Sequence, residues 1–454
     1  MAKSPTPSFF NSRLVTTLLS AVVITAGALV AILYAKGNFR YGNTGFMPKS
    51  GLLNANSFPT GAEVYIDGRL VTATDGTIYL EPKEYTIRIS KDGYSSWEKR
   101  LKVEEELVTQ TNAQLFPSAP SITPLTFTGV SSVVPSPDGQ KLVYYVASAS
   151  SQTKIGLYAL DLASIGGLIG MQKGPRQITE NGQVFDLANA DIVWSPDSSE
   201  VMVMSQNGDV VLGIDRKTDL NKTPDIGWKK KRILAEWEQE MYVREREFMG
   251  KFPPEIVAIA TQSAKNVYFS PDKKRMLYTA TASAEIPKGI TPSLPASNSQ
   301  TETRLLTPGR IYVYDREEDR NFEIATETQT NQAVTKVLLA TDLSESQPIR
   351  IESSPSAFER LQASESAQTA LNFNAYHSSL YINTMQWFPD SKHILFVRDN
   401  KIQIMAYDGT NVTTIYSGPF TNSFVYPWPD GSRLLITTTF SPDSPLNLYT
   451  IELK

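Results

Sequence analysis

Asp315, Glu317, Glu318 and Asp319 crowd four carboxylates into one short loop, a set able to offer oxygen ligands to a hard cation such as Ca²⁺. Arg316 and Arg320 sit among them, and the spacing is not that of a known calcium loop. Histidine chemistry rests on His377 and His393 alone, which excludes a His-rich metal site. His393 opens a strand-like stretch, where a structural role is the reading. With no cysteine, the chain has no disulfide, thiolate ligand or thiol nucleophile. No Gly-x-Ser-x-Gly elbow and no Gly-x4-Gly-Lys phosphate loop appears. No catalytic, cofactor or metal residue is therefore assigned, and the chain is read as a non-enzyme. One catalytic alternative stays open, a polysaccharide-acting enzyme whose paired carboxylates come from distant parts of the chain.

The elements that would position such groups are marked by five Pro-Asp turns: Ser136-Pro137-Asp138-Gly139, Ser195-Pro196-Asp197, Ser270-Pro271-Asp272, Phe388-Pro389-Asp390 and Trp428-Pro429-Asp430-Gly431. Pro presets φ for the second turn position and Asp bonds its own backbone further on, so turn chemistry alone explains both residues. A β-rich segment follows each turn: Lys141 to Val146, Val201 to Ser205, Met276 to Ala280, His393 to Val397 and Arg433 to Thr437. A further strand comes later in each unit, at 156–161, 211–215, 310–315, 402–408 and 446–452. A turn and strand pair repeated in this way is the mark of a repeat fold.

The turn prolines are 59, 75, 118 and 40 residues apart. A bare four-stranded unit takes about 40 to 45 residues, so the longer intervals hold insertions. Residues 228–262 read as a helical hairpin. Leu234, Trp237, Met241 and Phe248 follow helical spacing to Gly250, and a second helix runs from Glu255 to Gln262. This hairpin either caps one face, offers a partner surface or packs on the rim. Its opening Lys229-Lys230-Lys231-Arg232 is read as a solvated cluster, with contact to anionic lipid or polymer as the alternative. Residues 281–308 and 326–371 read as long mobile loops, the second broken by a short helix over 357–363, and a degenerate sixth unit fits near 321–352.

The N-terminal part differs. Residues 1–13 form a short tail, and Leu14 to Ala35 is an uncharged stretch of 22 residues. As a helix it reaches about 33 Å, enough to span a hydrocarbon core of about 30 Å. A signal peptide cut after Ala26-Gly27-Ala28 is the competing reading, but the apolar run continues to Lys36, which favours an uncleaved, single-pass anchor. Lys3 and Arg13 before the stretch balance Lys36, Arg40 and Lys49 after it, so charge does not set the orientation. The bulk of the chain is placed outside the cytoplasm because of the modules downstream. Residues 36–50 read as a linker. Residues 1–50 carry five basic residues and no acid, leaving 38 basic against 47 acidic residues beyond. That balance argues against a nucleic-acid partner.

Residues 51–118 show short alternating strands with Asp67-Gly68 and Asp92-Gly93 turns, predicting a small antiparallel β-sandwich. Here Phe58-Pro59-Thr60-Gly61-Ala62-Glu63-Val64-Tyr65-Ile66-Asp67-Gly68, with Lys91-Asp92-Gly93-Tyr94 and Trp97, resembles the PEGA domain. Thr60, Thr74-Asp75 and Lys83 depart from the family pattern at turns. The resemblance implies a non-enzymatic β-module of exported or surface proteins. Tyr94 and Trp97 are read as packing residues. The repeat units of residues 119–454 resemble blades of TolB-type or WD40-like β-propellers, with five or six blades. Residues 119–130 would supply the strand that joins the last blade. The whole is an all-β chain behind one transmembrane helix, expected to bind a protein or cell-envelope glycan and anchored in the cell membrane.

Overall fold

The computed structural model describes residues 12–35, 41–42, 45–46, 50–162, 174–182, 185–292, 298–327, 385–421, 424–441 and 444–454. Most of the expected linker, residues 328–384 with most of the expected sixth unit, the short helix at 357–363 and His377 lie outside them; the start of that unit, residues 321–326, belongs to the strand Arg320–Thr326 of the third sheet described below. Chain packing separates an N-terminal unit that includes residues 50–89 and 99–114 from a larger unit that includes most of residues 115–454.

The helix expected over residues 14–35 forms as α1, Ser12–Ala35. Leu18, Leu19, Val22, Val23, Ile24, Leu29, Val30 and Ile32 lie on all sides of it, each between 55 and 69 % exposed. Among the described residues no helix is long and apolar enough to cross a membrane. The described side chains of α1 run from residue 16 to residue 32. The expected role as a membrane span thus has no support from the fold itself.

In the N-terminal module, strands Arg69–Ala73, Glu63–Ile66, Glu84–Ser90 and Trp97–Lys102 form one sheet, and Val108–Gln110, Gly51–Ala55 and Gly76–Leu80 another. Alternation buries Val64, Ile66, Tyr85, Ile87, Ile89, Leu53 and Ala55. Asp67 and Gly68 both take positive φ, 48° and 81°, as a two-residue turn matched to strand twist requires. The sandwich departs from the expected antiparallel one in two pairings: Gly51–Ala55 pairs in parallel with Val108–Gln110, and Ser57–Phe58 in parallel with Ala113–Gln114. More than fifty residues of chain intervene between the partners in each pair, giving the long crossover that parallel pairing needs.

Among the described residues the larger unit contains five sheets of three or four strands, in chain order, and one two-stranded ribbon. The first holds Ser131–Pro135, Lys141–Val146, Gly156–Asp161 and Arg176–Glu180; the second holds Asp191–Trp194, Glu200–Ser205 and Gly208–Gly213. The third holds Ala264–Phe269, Arg275–Ala280, Arg310–Asp315 and Arg320–Thr326; the fourth holds Met385–Trp387, His393–Arg398, Lys401–Ala406 and Thr413–Tyr416. In the fifth, Val425–Pro427, Arg433–Thr438 and Asn447–Glu452 are joined by Ile122–Pro124, which pairs antiparallel with the last of them. The expected joining strand is therefore present. Each sheet is an antiparallel meander.

Buried side chains show how the sheets stack. Val143, Leu157 and Ile178 of the first sheet share a core with Trp194, Val203 and Leu212 of the second. The first sheet's other face, with Leu142, Tyr144 and Leu160, meets Leu435 and Leu448 of the fifth. The fifth meets the fourth through Leu434, Ile436, Leu395 and Ile404. The fourth meets the third through Ile394, Met405, Leu277 and Val313. The packing order is second, first, fifth, fourth, third, and among the described residues one face of the second sheet and one of the third have no sheet partner.

Two helices cover those faces. α2, Gly227–Met249, lays Leu234 with Ile233, Trp237 and Met241 on Val193, Met202 and Met204 of the second sheet. α3, Pro254–Gln262, lays Ile256, Ile259 and Ala260 on Met276, Tyr278, Tyr312 and Tyr314 of the third. The C-terminal end of α2 also reaches the third sheet, where Phe248 meets the Phe269 ring edge-on at 6.1 Å and lies under Lys273. The helical insertion thus fills the place between second and third sheets. Residues 281–308, read as a loop, pair Ala284–Glu285 with Leu305–Leu306, and Ile286 and Leu306 pack against the same face of the third sheet.

Candidate functional site

Strand direction alternates within each meander, so every Pro-Asp turn, which joins the first strand of a sheet to the second, lies at one end of the stack. There the fourth turn residue takes a left-handed conformation each time: Gly139, Ser198, Lys273, Ser391 and Gly431 have φ of 73°, 60°, 60°, 61° and 65°. In three turns the leading Ser hydroxyl donates to the Asp carboxylate, at 2.5 Å for Ser136 to Asp138, 2.6 Å for Ser195 to Asp197 and 2.5 Å for Ser270 to Asp272. The Ser195 hydroxyl, followed by the Ser199 hydroxyl and amide, holds the Asp197 carboxyl below the usual carboxylate range.

Neighbouring turns also touch. The Asp138 amide donates to the Ser198 hydroxyl at 3.2 Å, and Lys141 donates to the Ser198 carbonyl at 3.0 Å. The same pair recurs between third and fourth sheets: the Asp272 amide donates to the Ser391 hydroxyl at 3.0 Å, and Arg275 to the Ser391 carbonyl at 3.1 Å. A Cβ on Gly139 would come within 2.9 Å of the Tyr426 hydroxyl, and one on Gly431 within 3.0 Å of the Phe388 ring. Close approach therefore favours glycine at these two positions, while Ser198, Lys273 and Ser391 take the same φ where no such neighbour stands.

In the fourth turn Phe388 replaces the Ser, and His393 supplies the missing contact, its Nδ1 lying 2.6 Å from Asp390 Oδ2. Burial pushes the Asp390 carboxyl up, but the His393 ring and the amides of Lys392 and His393 outweigh it and hold it below the usual range. His393 is buried, in the structural role expected of it.

The acidic loop lies at the same end, between the last two strands of the third sheet, and its carboxylates point to separate partners. Asp315, fully buried, sits 2.7 Å from Arg275 Nε, and its Oδ1 accepts the amides of Glu317 and Glu318 at 2.8 and 3.1 Å. Arg275 stacks over the Tyr407 ring at 4.2 Å, and the Tyr407 hydroxyl donates to Glu318 at 3.3 Å. Burial first, then the charges of Glu318 and Asp315, raise the Tyr407 phenol well above its ordinary range. Glu317 pairs with Lys274 at 2.8 Å. Asp319 accepts the Tyr314 hydroxyl at 2.9 Å and the Gly289 amide at 2.8 Å, and lies beside Arg304. Arg316 donates to the Lys251 carbonyl at 2.9 Å, and the Arg320 guanidinium lies against the Phe322 ring. Among the described residues no three Asp, Glu or His side chains converge as a metal site would. The cluster is a set of ties between the third sheet, its insertion and the fourth sheet. Sequence spacing brought the acids together; it carried no sign of Arg275, Arg304 or Tyr407 as their partners.

The remaining candidates are dispersed. Trp97 is buried, as expected of a packing residue, and Tyr94 is half-buried. Of the basic run, Lys230 pairs with Asp209 at 2.9 Å, Arg232 approaches Glu236 at 3.5 Å and Lys229 lies over the Trp228 ring at 4.4 Å. A hollow of about 40 Å³ lined by Ile324, Ala325, Met385, Phe396 and Met405 has room for a water or two, far short of a ligand pocket.

Residues 50–119 match the PEGA domain family model. No curated protein matches the chain. Among solved structures, a putative TolB from Agrobacterium tumefaciens is similar at 13 % identity, with 73 % of this chain and 86 % of that one covered and a TM-score of 0.20. An oligogalacturonate lyase from Vibrio parahaemolyticus is similar at 9 % identity, with 89 % and 98 % covered and a TM-score of 0.25. TolB from Acinetobacter baumannii is similar at 12 % identity, with 82 % and 60 % covered and a TM-score of 0.17. At these scores the structural likenesses carry no argument; the architecture rests on the strand pairing and packing above.

Proposed function

We propose that this chain is a non-catalytic binding protein of the cell envelope, held in the cell membrane by α1 with its bulk outside the cytoplasm. The larger unit acts as a five-bladed propeller, with α2 and α3 standing where a further blade would close the ring, and it recognises a protein or an envelope glycan. The observation that carries this reading is the acidic loop. Asp315, Glu317, Glu318 and Asp319, the densest carboxylate group weighed for chemistry, are engaged by Arg275, Lys274, Tyr407 and Tyr314. They serve the stack rather than a substrate.

The anchor is proposed on the sequence of α1 alone, in which Leu14 to Ala35 is an uncharged run of 22 residues. Two of its hydroxyls are satisfied within the helix, Ser20 donating to the Thr17 carbonyl and Thr25 to the Ala21 carbonyl, as a water-free medium would require. The PEGA match, with the exported or surface setting that family implies, favours the outward orientation.

Membrane fractionation of the full chain, alkaline extraction and protease protection test the anchor and its sidedness. Affinity capture with the same chain tests recognition, and a specific protein or polymer is expected. Release from membranes by alkaline wash would remove the anchor. Steady turnover of any polysaccharide would remove the non-catalytic reading.

A further inference from the structure

The end of the stack opposite the Pro-Asp turns is built from connections of two kinds, those between second and third strands and those between consecutive sheets. α2 begins there: the Ile226 amide donates to the carbonyl of Asp209, near the start of strand Gly208–Gly213, at 2.8 Å. At the helix's other end, Arg244 donates to the Pro196 carbonyl in a Pro-Asp turn, at 2.5 Å. Phe127 lies in the connection from Ile122–Pro124 to the first sheet, and Phe440 in the connection between second and third strands of the fifth. Phe127, Trp228 and Phe440 are 77, 79 and 54 % exposed, and all three fall at this end.

Basic charge accompanies them. Lys229, Lys231 and Arg232 follow Trp228; Arg232 lies 3.5 Å from Glu236 in an exposed, water-screened pair, and the two acids beside the start of the helix are occupied. Asp209 pairs with Lys230, and Asp225 accepts the amides of Asp209 and Gly227 at 2.8 and 3.0 Å. Aromatic side chains on separate connections, not lining a groove, suit a fluid interface that needs no shape match, and a Trp beside lysines suits the headgroup layer of a membrane. The residues beyond position 50 are net acidic, which would repel an extended polyanion past the basic run, whereas a bilayer meets one end alone.

We propose that this end seats on an anionic lipid bilayer, Phe127, Trp228 and Phe440 entering the headgroup layer while Lys229, Lys231 and Arg232 meet lipid phosphates. The proposal rests on the anchor reading, because α1 would hold the unit near the membrane and raise its effective concentration there. Seated in this way, the unit turns its Pro-Asp end outward, free to meet a partner.

The test uses the full chain reconstituted in vesicles of phosphatidylcholine, with or without phosphatidylglycerol, each containing brominated lipid as a fluorescence quencher. The Trp228 signal is the difference between the wild type and Trp228→Phe. Quenching of that signal is expected in the anionic vesicles only. Replacing Lys229, Lys231 and Arg232 by Gln should lower the ratio of seated to free unit by ~100-fold, from ~5-fold per charge near the surface. Unchanged thermal unfolding of that variant shows that the fold is intact. A chain that fails to float with vesicles refutes the anchor. A chain that floats, yet leaves Trp228 open to aqueous acrylamide in both vesicles, or is quenched equally in both, overturns the seating while the anchor stands. So would capture of a soluble protein by this end that shields Trp228 without lipid.

Discussion

Replacing Arg275 by Met removes the cation that ties the third sheet to the fourth while keeping most of the side-chain volume. Asp315 is then left fully buried, its negative charge answered by two backbone amides alone. Removing one partner of a buried pair costs about 3–5 kcal/mol, mostly from the uncompensated charge. The bond to the Ser391 carbonyl adds about 1 kcal/mol. Part of the contact over Tyr407 survives, because a thioether also packs well on an aromatic ring. These terms share one cluster and do not add, so about 3–5 kcal/mol is the expected total. At about 2–3 °C per kcal/mol for a unit of this size, the midpoint should fall by about 6–15 °C. Adding Asp315→Asn removes the stranded charge but keeps the oxygen that accepts the Glu317 and Glu318 amides. The double variant should recover about 2 kcal/mol. Urea unfolding of the full chain in detergent, followed by circular dichroism, reads both effects. A loss under about 1 kcal/mol for Arg275→Met, or a double variant no more stable than the single, would refute the reasoning.

Leu234→Ala empties the contact between α2 and the second sheet, and a loss of about 2–5 kcal/mol is expected, with hydrogen exchange rising in α2 and the second sheet before the fifth. Asp197 and Asp390 have carboxyls held below the usual carboxylate range, so their contribution is present above that range and is lost as pH falls through the lower folded values. Unfolding midpoints should therefore be level above about pH 5 and drop steeply below about pH 4. Tyr144, Tyr278, Tyr407 and Tyr426 have phenols raised above 10.0, chiefly by burial, so their contribution is present below that pH and is lost as pH rises through the raised values. In a spectrophotometric titration near 295 nm these tyrosines should ionise together with unfolding rather than in the ordinary phenol range.

Local chemistry carried much of the fold into view. Strands 141–146, 156–161 and 310–315 lie where alternation and the flanking Pro, Asp and Gly place them, α2 stops at Gly250, and α3 starts at Pro254. Turns of this kind depend on a few adjacent residues, and no distant contact is needed to read them. The two parallel strand pairs of the N-terminal module escaped notice because register between segments more than fifty residues apart leaves no local trace.

The roles of charged and exposed groups were settled by packing alone. Spacing could not show that Asp315 belongs to Arg275, or that Glu318 faces a tyrosine 89 positions away, since such pairs arise only when two sheets meet face to face. Nor could it show that the helices fill the place between second and third sheets, because a face needs covering only once the other sheets have found theirs. The convergence of Phe127, Trp228 and Phe440 at one end is of the same kind. Sequence determined which short segments turn, extend or coil; tertiary structure decided which side chains are left facing water, because exposure is what remains after every other surface has been paired.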